Sequence, residues 1–200
     1  MKDKIIEKST EMFLIQGSKG LTMDVIANEM GISKKTIYKY FNTKRELVKA
    51  GSEYLFHKII SGIQEIMELN ENPIKEMYLI KDFVFKVLRR ENTSPYHQFQ
   101  RYFPKIYQSL IIRQFTEMDR CITENLKKGV KQGLYRKEIN IKLISRFFYI
   151  GIKNIKDLTI FNPKHFTATE INDAYLNFYL RAICTQKGVD YLSNCQNLKK

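Results

Sequence analysis

The sequence predicts an all-α protein, and three observations carry that expectation. Apolar residues recur at spacings of three and four along most of the 200 residues. No run alternates apolar and polar residues as a strand would. Only four prolines and nine glycines interrupt the pattern. Nine helices are expected, divided between a small three-helix domain over 1–43 and a larger helical body over 44–200.

The first helix covers about 3–16, with Ile5, Ile6, Ser9, Met12, Phe13 and Gln16 on its inner stripe, and stops at Gly17-Ser18-Lys19-Gly20. Thr22 caps a second helix with Asp24 in its first turn, where a carboxylate favours the helix dipole. Gly31 ends that helix, and Ser33 caps a third that runs to about Phe41. Asn42-Thr43 opens a long fourth helix toward Leu69, with Thr43 and Glu46 in capping-box spacing. Pro73 suits the first turn of a fifth helix reaching about Glu91. Asn92 to Pro95 breaks the chain, and Pro104 divides 95–131 into a short sixth and a long seventh helix that ends among Gly129 and Gly133. Asn140 caps an eighth helix to about Asp157. After the break at Phe161-Asn162-Pro163, Thr167 and Glu170 open a ninth that ends near Gly188. The polar tail, 189–200, is expected to fray.

With 44% hydrophobic and 28% charged residues, the composition is that of a globular chain rather than a disordered one. No stretch approaches the roughly 18 to 20 uncharged apolar residues of a membrane helix. The start, MKDKIIEKSTEMF, carries charges within its apolar pattern and no cleavage site, so a cytoplasmic protein is expected. Cys121, Cys184 and Cys195, like His57, His97 and His165, lack the spacing of a disulfide framework or zinc site. No metal and no cofactor is expected. A net charge of +13 points to a polyanionic partner, and its distribution says more than its size. Between residues 31 and 50, Lys34, Lys35, Lys39, Lys44, Arg45 and Lys49 stand against Glu46 alone.

The same stretch has the makings of a helix-turn-helix. That motif needs a small residue where two helices cross, a residue tolerant of positive φ in the turn, and apolar backing. Ala27 is the small residue, Gly31 the turn, and Ile26, Met30, Ile32 and Ile37 the backing. With Ile37 and Phe41 facing inward at i and i+4, Lys34, Lys35, Thr36, Tyr38, Lys39 and Tyr40 face outward. Lysines at a helix start can reach guanine edges or phosphates, and the Thr36 methyl can touch a thymine methyl. Tyrosine hydroxyls serve as phosphate donors, and Thr22 and Lys44 lie at helix starts that favour an anion.

In the order Ile5-Ile6, Met12-Phe13, Gly17, Gly20, Thr22, Ile26-Ala27, Met30-Gly31-Ile32-Ser33, Thr36-Ile37-Tyr38, Tyr40-Phe41-Asn42-Thr43-Lys44 and Leu47, this segment closely resembles the N-terminal signature of the tetracycline-repressor (TetR) family. Residues 129–140, GVKQGLYRKEIN, look like the link that precedes that family's last two helices. The resemblance implies phosphate contacts from Thr22, Tyr38 and Lys44, with Tyr40 close to the backbone. It puts Ser33, Lys34, Lys35, Thr36 and Lys39 at or near the groove. Lys35 departs from the pattern, since many members carry glycine there to let the helix backbone approach DNA.

The resemblance further implies a homodimer through the last two long helices, in which two recognition helices read two half-sites of double-stranded operator DNA. Leu143, Phe147, Ile150 and Gly151 on the eighth helix, and Ala174, Phe178, Arg181, Ala182 and Thr185 on the ninth, make a candidate seam that equally suits an intramolecular core. Tyr96, Phe99, Tyr102, Phe103, Tyr107, Phe115 and Phe148 are candidates to line a pocket for a small apolar or aromatic effector, though rings at helical spacing also suit ordinary core packing.

The expected function is that of a sequence-specific DNA-binding transcriptional regulator, foremost a repressor released from its operator by a small-molecule ligand. The alternatives are a nonspecific or architectural nucleic-acid-binding protein and a regulator with no small-molecule effector. No paired carboxylates, Ser/His/Asp or Cys/His arrangement, or phosphate-cradling glycine loop suggests an enzyme.

Overall fold

Helices follow one another from α1 (Lys2–Gln16) through α2 (Met23–Glu29), α3 (Lys34–Tyr38), α4 (Lys44–Glu68), α5 (Pro73–Leu88), α6 (Ser94–Tyr102), α7 (Pro104–Lys131), α8 (Ile141–Asn154) and α9 (Ala168–Ile183) to α10 (Gln186–Asn197). The computed structural model of the protein describes residues 1–88 and 94–197, with the side chains of 94–96 and 194–197 outside the description. The expected end of the fifth helix at Glu91 and the Asn92-Thr93 break lie outside the described residues. Among those described, the extended pairing is one isolated antiparallel bridge between Tyr135 and Cys184.

That bridge explains why ten helices are described where nine were expected. Cys184 is extended, at φ −69° and ψ 149°, so α9 ends at Ile183 rather than near Gly188. The backbone here pairs across to 134–136: Arg136 N–H donates to the Ile183 carbonyl and Thr185 N–H to that of Leu134, each at 2.9 Å. Thr185 then starts α10, its hydroxyl accepting from Gly188 N–H at 3.2 Å and donating to the Gly133 carbonyl at 2.7 Å. Gly188 serves close approach rather than helix termination, because a Cβ there would lie 2.2 Å from the Leu134 carbonyl oxygen. Within the tail expected to fray, 198–200 lie outside the described residues, and residues 189–197 instead belong to α10, which buries Leu192 completely. Burial of one apolar side chain, invisible to a polarity count, anchors it.

Two other expectations change. The third helix is shorter than the span to Phe41, ending at Tyr38 with Lys39 as its cap. Gly129 lies inside α7, where the Tyr135 ring packs so closely that any Cβ would meet it.

The described chain falls into two compact units. The first comprises Met1–Ser61 and Val87–Gln114, the second Gly62–Lys86 and Phe115–Lys200. In the first unit, Ile5, Met12, Leu21, Met23, Ile26, Ala27, Ile37, Phe41 and Leu47 form one core cluster. A smaller one gathers Val48, Phe56, Ile106 and Leu110.

The second unit is built around Ile74, Met77, Ile122, Leu126, Tyr135, Phe148, Leu180, Ile183 and neighbouring residues. Within it Glu76, 2% exposed, is fully partnered. Its carboxylate accepts from Asn125 Nδ2 at 2.7 Å and Lys128 Nζ at 2.9 Å, while Tyr135 donates its hydroxyl to Asn125 Oδ1 at 3.1 Å. Buried charge persists only when paired in this way. Among the described residues no helix is long and apolar enough to cross a membrane.

Candidate nucleic-acid interface

Helix α2 begins where Thr22, at φ −106° and ψ 167°, accepts the Val25 N–H on its side-chain oxygen at 3.2 Å. It ends in a Schellman turn. Gly31, at φ +64°, donates its N–H to Asn28 at 3.1 Å, and Ile32 donates to Ala27 at 3.0 Å. A side chain would be strained at that φ, which is why glycine holds the corner. One residue on, Ser33 accepts the Thr36 N–H at 3.2 Å and shares a 2.9 Å contact with the Thr36 hydroxyl. Ala27 and Ile37, both buried, back α2 and α3 respectively. The helix-turn-helix expected from the sequence is therefore present, with its small residue, its turn and its caps in their expected roles.

The face opposite this core is polar and cationic. Ser33, Lys34, Lys35, Tyr38, Lys39 and Tyr40 are exposed, Thr36 is half-buried, and Thr22 is exposed at the start of α2. Tyr38 and Tyr40 are 41% and 42% exposed, so their rings rest on protein while their outer edges reach solvent.

Two lysines differ from the free cations that composition suggests. Lys34 Nζ lies 2.7 Å from Asp24 Oδ2 and 5.9 Å from the centre of the Tyr38 ring. Its pKa is raised above the ordinary lysine value, chiefly by the hydrogen bond to Asp24. Lys44, half-buried at the start of α4, donates its ammonium to the Ser18 carbonyl. Burial lowers its pKa, because desolvation penalises the charged form.

Sequence reasoning treated Asp24 only as a helix-start residue and gave Ser18 no role. Neither had a local signal. Asp24 meets Lys34 across a helix crossing, and Ser18 meets Lys44 across 26 residues of chain.

The aromatic candidates are distributed over both units. Phe99, Tyr102, Phe103 and Tyr107 belong to the first, Phe115 and Phe148 to the second, and the Tyr96 side chain lies outside those described. Phe99 packs against the Val48, Phe56, Ile106 and Leu110 cluster, with Phe103 and Tyr107 each 6.2 Å away by ring centre. Tyr102 is exposed. Phe115 meets Tyr149 edge-on at 4.9 Å, and Phe148, in the second unit's core, meets Tyr179 at 4.8 Å.

Residues 5–50, which span this motif and its supporting core, match the model of the family described as bacterial regulatory proteins, tetR family. Over those residues the chain is similar to the DNA-binding segment of that family. The HTH-type transcriptional repressor KstR2 of Mycobacterium tuberculosis is 21% identical over 197 residues, a match covering 94% of each chain. Among solved structures, a TetR transcription regulator from Haloarcula marismortui shares the fold at a TM-score of 0.74 and 15% identity, covering 92% of this chain and 98% of that one. SmeT, the repressor of the Stenotrophomonas maltophilia multidrug efflux pump SmeDEF, aligns at a TM-score of 0.67 and 14% identity over 93% and 91% of the two chains. TetR-family regulators bind operator DNA, usually as dimers.

Proposed function

We propose that this chain is a TetR-family repressor whose segment 1–43 reads operator DNA and whose segment 44–200 dimerises and responds to a small apolar or aromatic effector. It would act in the cytoplasm, where its DNA lies. The observation that carries the reading is the capped, five-residue α3, with Ile37 buried beneath it and Lys34, Lys35, Tyr38, Lys39 and Tyr40 exposed. On this reading Thr22, Tyr38 and Lys44 contact phosphates and Tyr40 lies near the backbone. Ser33, Lys34, Lys35, Thr36 and Lys39 lie at or near base edges.

The homodimer reading rests on exposed apolar residues at helical spacing. Leu143, Phe147 and Ile150 on α8 are 47%, 54% and 52% exposed, and Phe178 on α9 is 72% exposed. Apolar residues so spaced on two neighbouring helices suit burial against a second copy in a four-helix bundle. Ala174, Arg181 and Ala182 are exposed on α9 and fit the same seam. Gly151 and Thr185 already have close partners within the chain. Gly151 gives room to the Tyr175 side chain of the same chain, and Thr185 hydrogen-bonds Gly133 and caps α10.

Release by an effector requires only that the ligand favour one of two dimer geometries, with a differential affinity that sets the size of the response. The DNA reading is tested by anisotropy titrations with intergenic fragments from the source genome and with random duplex, across a range of salt. Lys44→Ala is expected to weaken all sequences and reduce the log–log salt slope by about 1, whereas Thr36→Ala changes sequence preference. Absence of sequence-selective binding at moderate salt would favour a nonspecific nucleic-acid binder instead.

A further inference from the structure

Within the first compact unit, a side chain from far along the sequence reaches the turn between α1 and α2. Gln98 of α6, half-buried, accepts the Lys19 backbone N–H on its Oε1 at 2.9 Å, across 79 residues of chain. The approach depends on Gly17. Its φ of +76° disfavours a side chain, and a Cβ there would lie 2.4 Å from the same Gln98 oxygen. Between Gly17 and Lys19 sits Ser18, 6% exposed, whose carbonyl accepts the Lys44 ammonium. An ammonium has three donors, so this bond leaves two for a phosphate while fixing the direction in which they point.

We propose that Gln98 is a positioning residue for DNA binding: by holding the 17–19 turn through Lys19, it keeps the Ser18 carbonyl where it orients Lys44 at the start of α4. The proposal rests on the reading of Lys44 as a phosphate contact. It makes α6, outside the helix-turn-helix, a determinant of how many phosphates the protein engages. Conformation at α6 then changes DNA affinity without altering any base contact, because the changed contact is to the backbone.

The test uses the full chain with Gln98→Leu, Gln98→Glu, Lys44→Met and the Gln98→Leu/Lys44→Met and Gln98→Glu/Lys44→Met double variants. Binding to operator and random duplex is measured across salt, with thermal melts as a check on folding. Gln98→Leu is expected to lower the log–log salt slope by about 0.9, as Lys44→Met does, for both DNAs. Gln98→Glu retains an acceptor oxygen at the same reach, so adding Lys44→Met to it still lowers the slope by about 0.9, which a general packing role would not require. In the Lys44→Met background Gln98→Leu has no further effect. A wild-type slope in Gln98→Leu while Lys44→Met lowers it overturns the role of Gln98 alone, as does an equal affinity loss from Gln98→Leu in both backgrounds. An unchanged slope in Lys44→Met removes the phosphate contact itself, and the proposal with it.

Discussion

Lys34 illustrates how one carboxylate alters a basic surface. In the sequence it is one of six cations facing a single acid between residues 31 and 50. In the fold Asp24, ten residues earlier and on another helix, lies 2.7 Å from its ammonium. A paired lysine releases fewer counterions on meeting a phosphate than a free one, and the carboxylate repels the duplex. Asp24→Asn is therefore expected to tighten binding to operator and random DNA alike and to steepen the log–log salt slope by up to about 0.9, read by anisotropy across salt. An unaltered slope would mean that Lys34 already leaves Asp24 in the complex. Exposure of Lys34 was readable from the position of Ile37, whereas its partner was not, because the α2–α3 crossing sets that distance.

Caps are the features of the helices most directly written in the sequence. Thr22, Ser33, Asn140 and Thr167 each accept a backbone N–H at the helix start expected of them. Thr167 and Glu170 form the full reciprocal box, in which Glu170 also accepts the Thr167 N–H at 2.8 Å. The Thr167 backbone N–H and hydroxyl hold the Glu170 carboxyl below the usual glutamate range. A folded pKa that is depressed gives stability that is present above the unfolded value, about 4.3, and lost as pH falls through the lower folded one. The melting-temperature difference between wild type and Glu170→Ala is accordingly expected to shrink from pH 7 to about pH 3. A difference that stays constant with pH would assign the effect to helix propensity rather than to the box. The end of α9 could not be read in the same way, since Cys184 and Thr185 leave the helix to pair with Tyr135 and Leu134, far earlier in the chain.

Two buried or buriable surfaces govern the second unit. Glu76 is enclosed with Asn125, Tyr135 and Lys128, and removing its carboxylate takes an acceptor from both Asn125 and Lys128, though Asn125 keeps the Pro73 carbonyl and the Tyr135 hydroxyl. Glu76→Ala is expected to cost about 3 kcal/mol in urea unfolding, the lower end of the range for a broken buried pair, because Lys128 keeps 24% of its side-chain exposure. A loss below about 1 kcal/mol would show that water replaces the carboxylate.

Phe178 presents the opposite case, an aromatic ring that is 72% exposed. Phe178→Glu is expected to convert a dimer to a monomer by sedimentation and to weaken operator binding far more than binding to a half-site, since only the dimer spans two half-sites. A variant that remains dimeric would move the seam elsewhere. The charge of +13 is a property of the full chain and speaks to association with polyanions, not to fold.

Helix positions, their caps, the Gly31 corner and the sign of the reading face follow from residues close together in sequence. Propensity, capping and 3.6-residue periodicity act over four residues or fewer, so a linear reading captures them. The Asp24–Lys34 pair, the Ser18 carbonyl under Lys44, the Gln98 contact with the turn and the break before α10 were decided by the tertiary structure. Each joins groups between 10 and 79 residues apart. Distances of that kind depend on how apolar faces pack, and no local rule reports them.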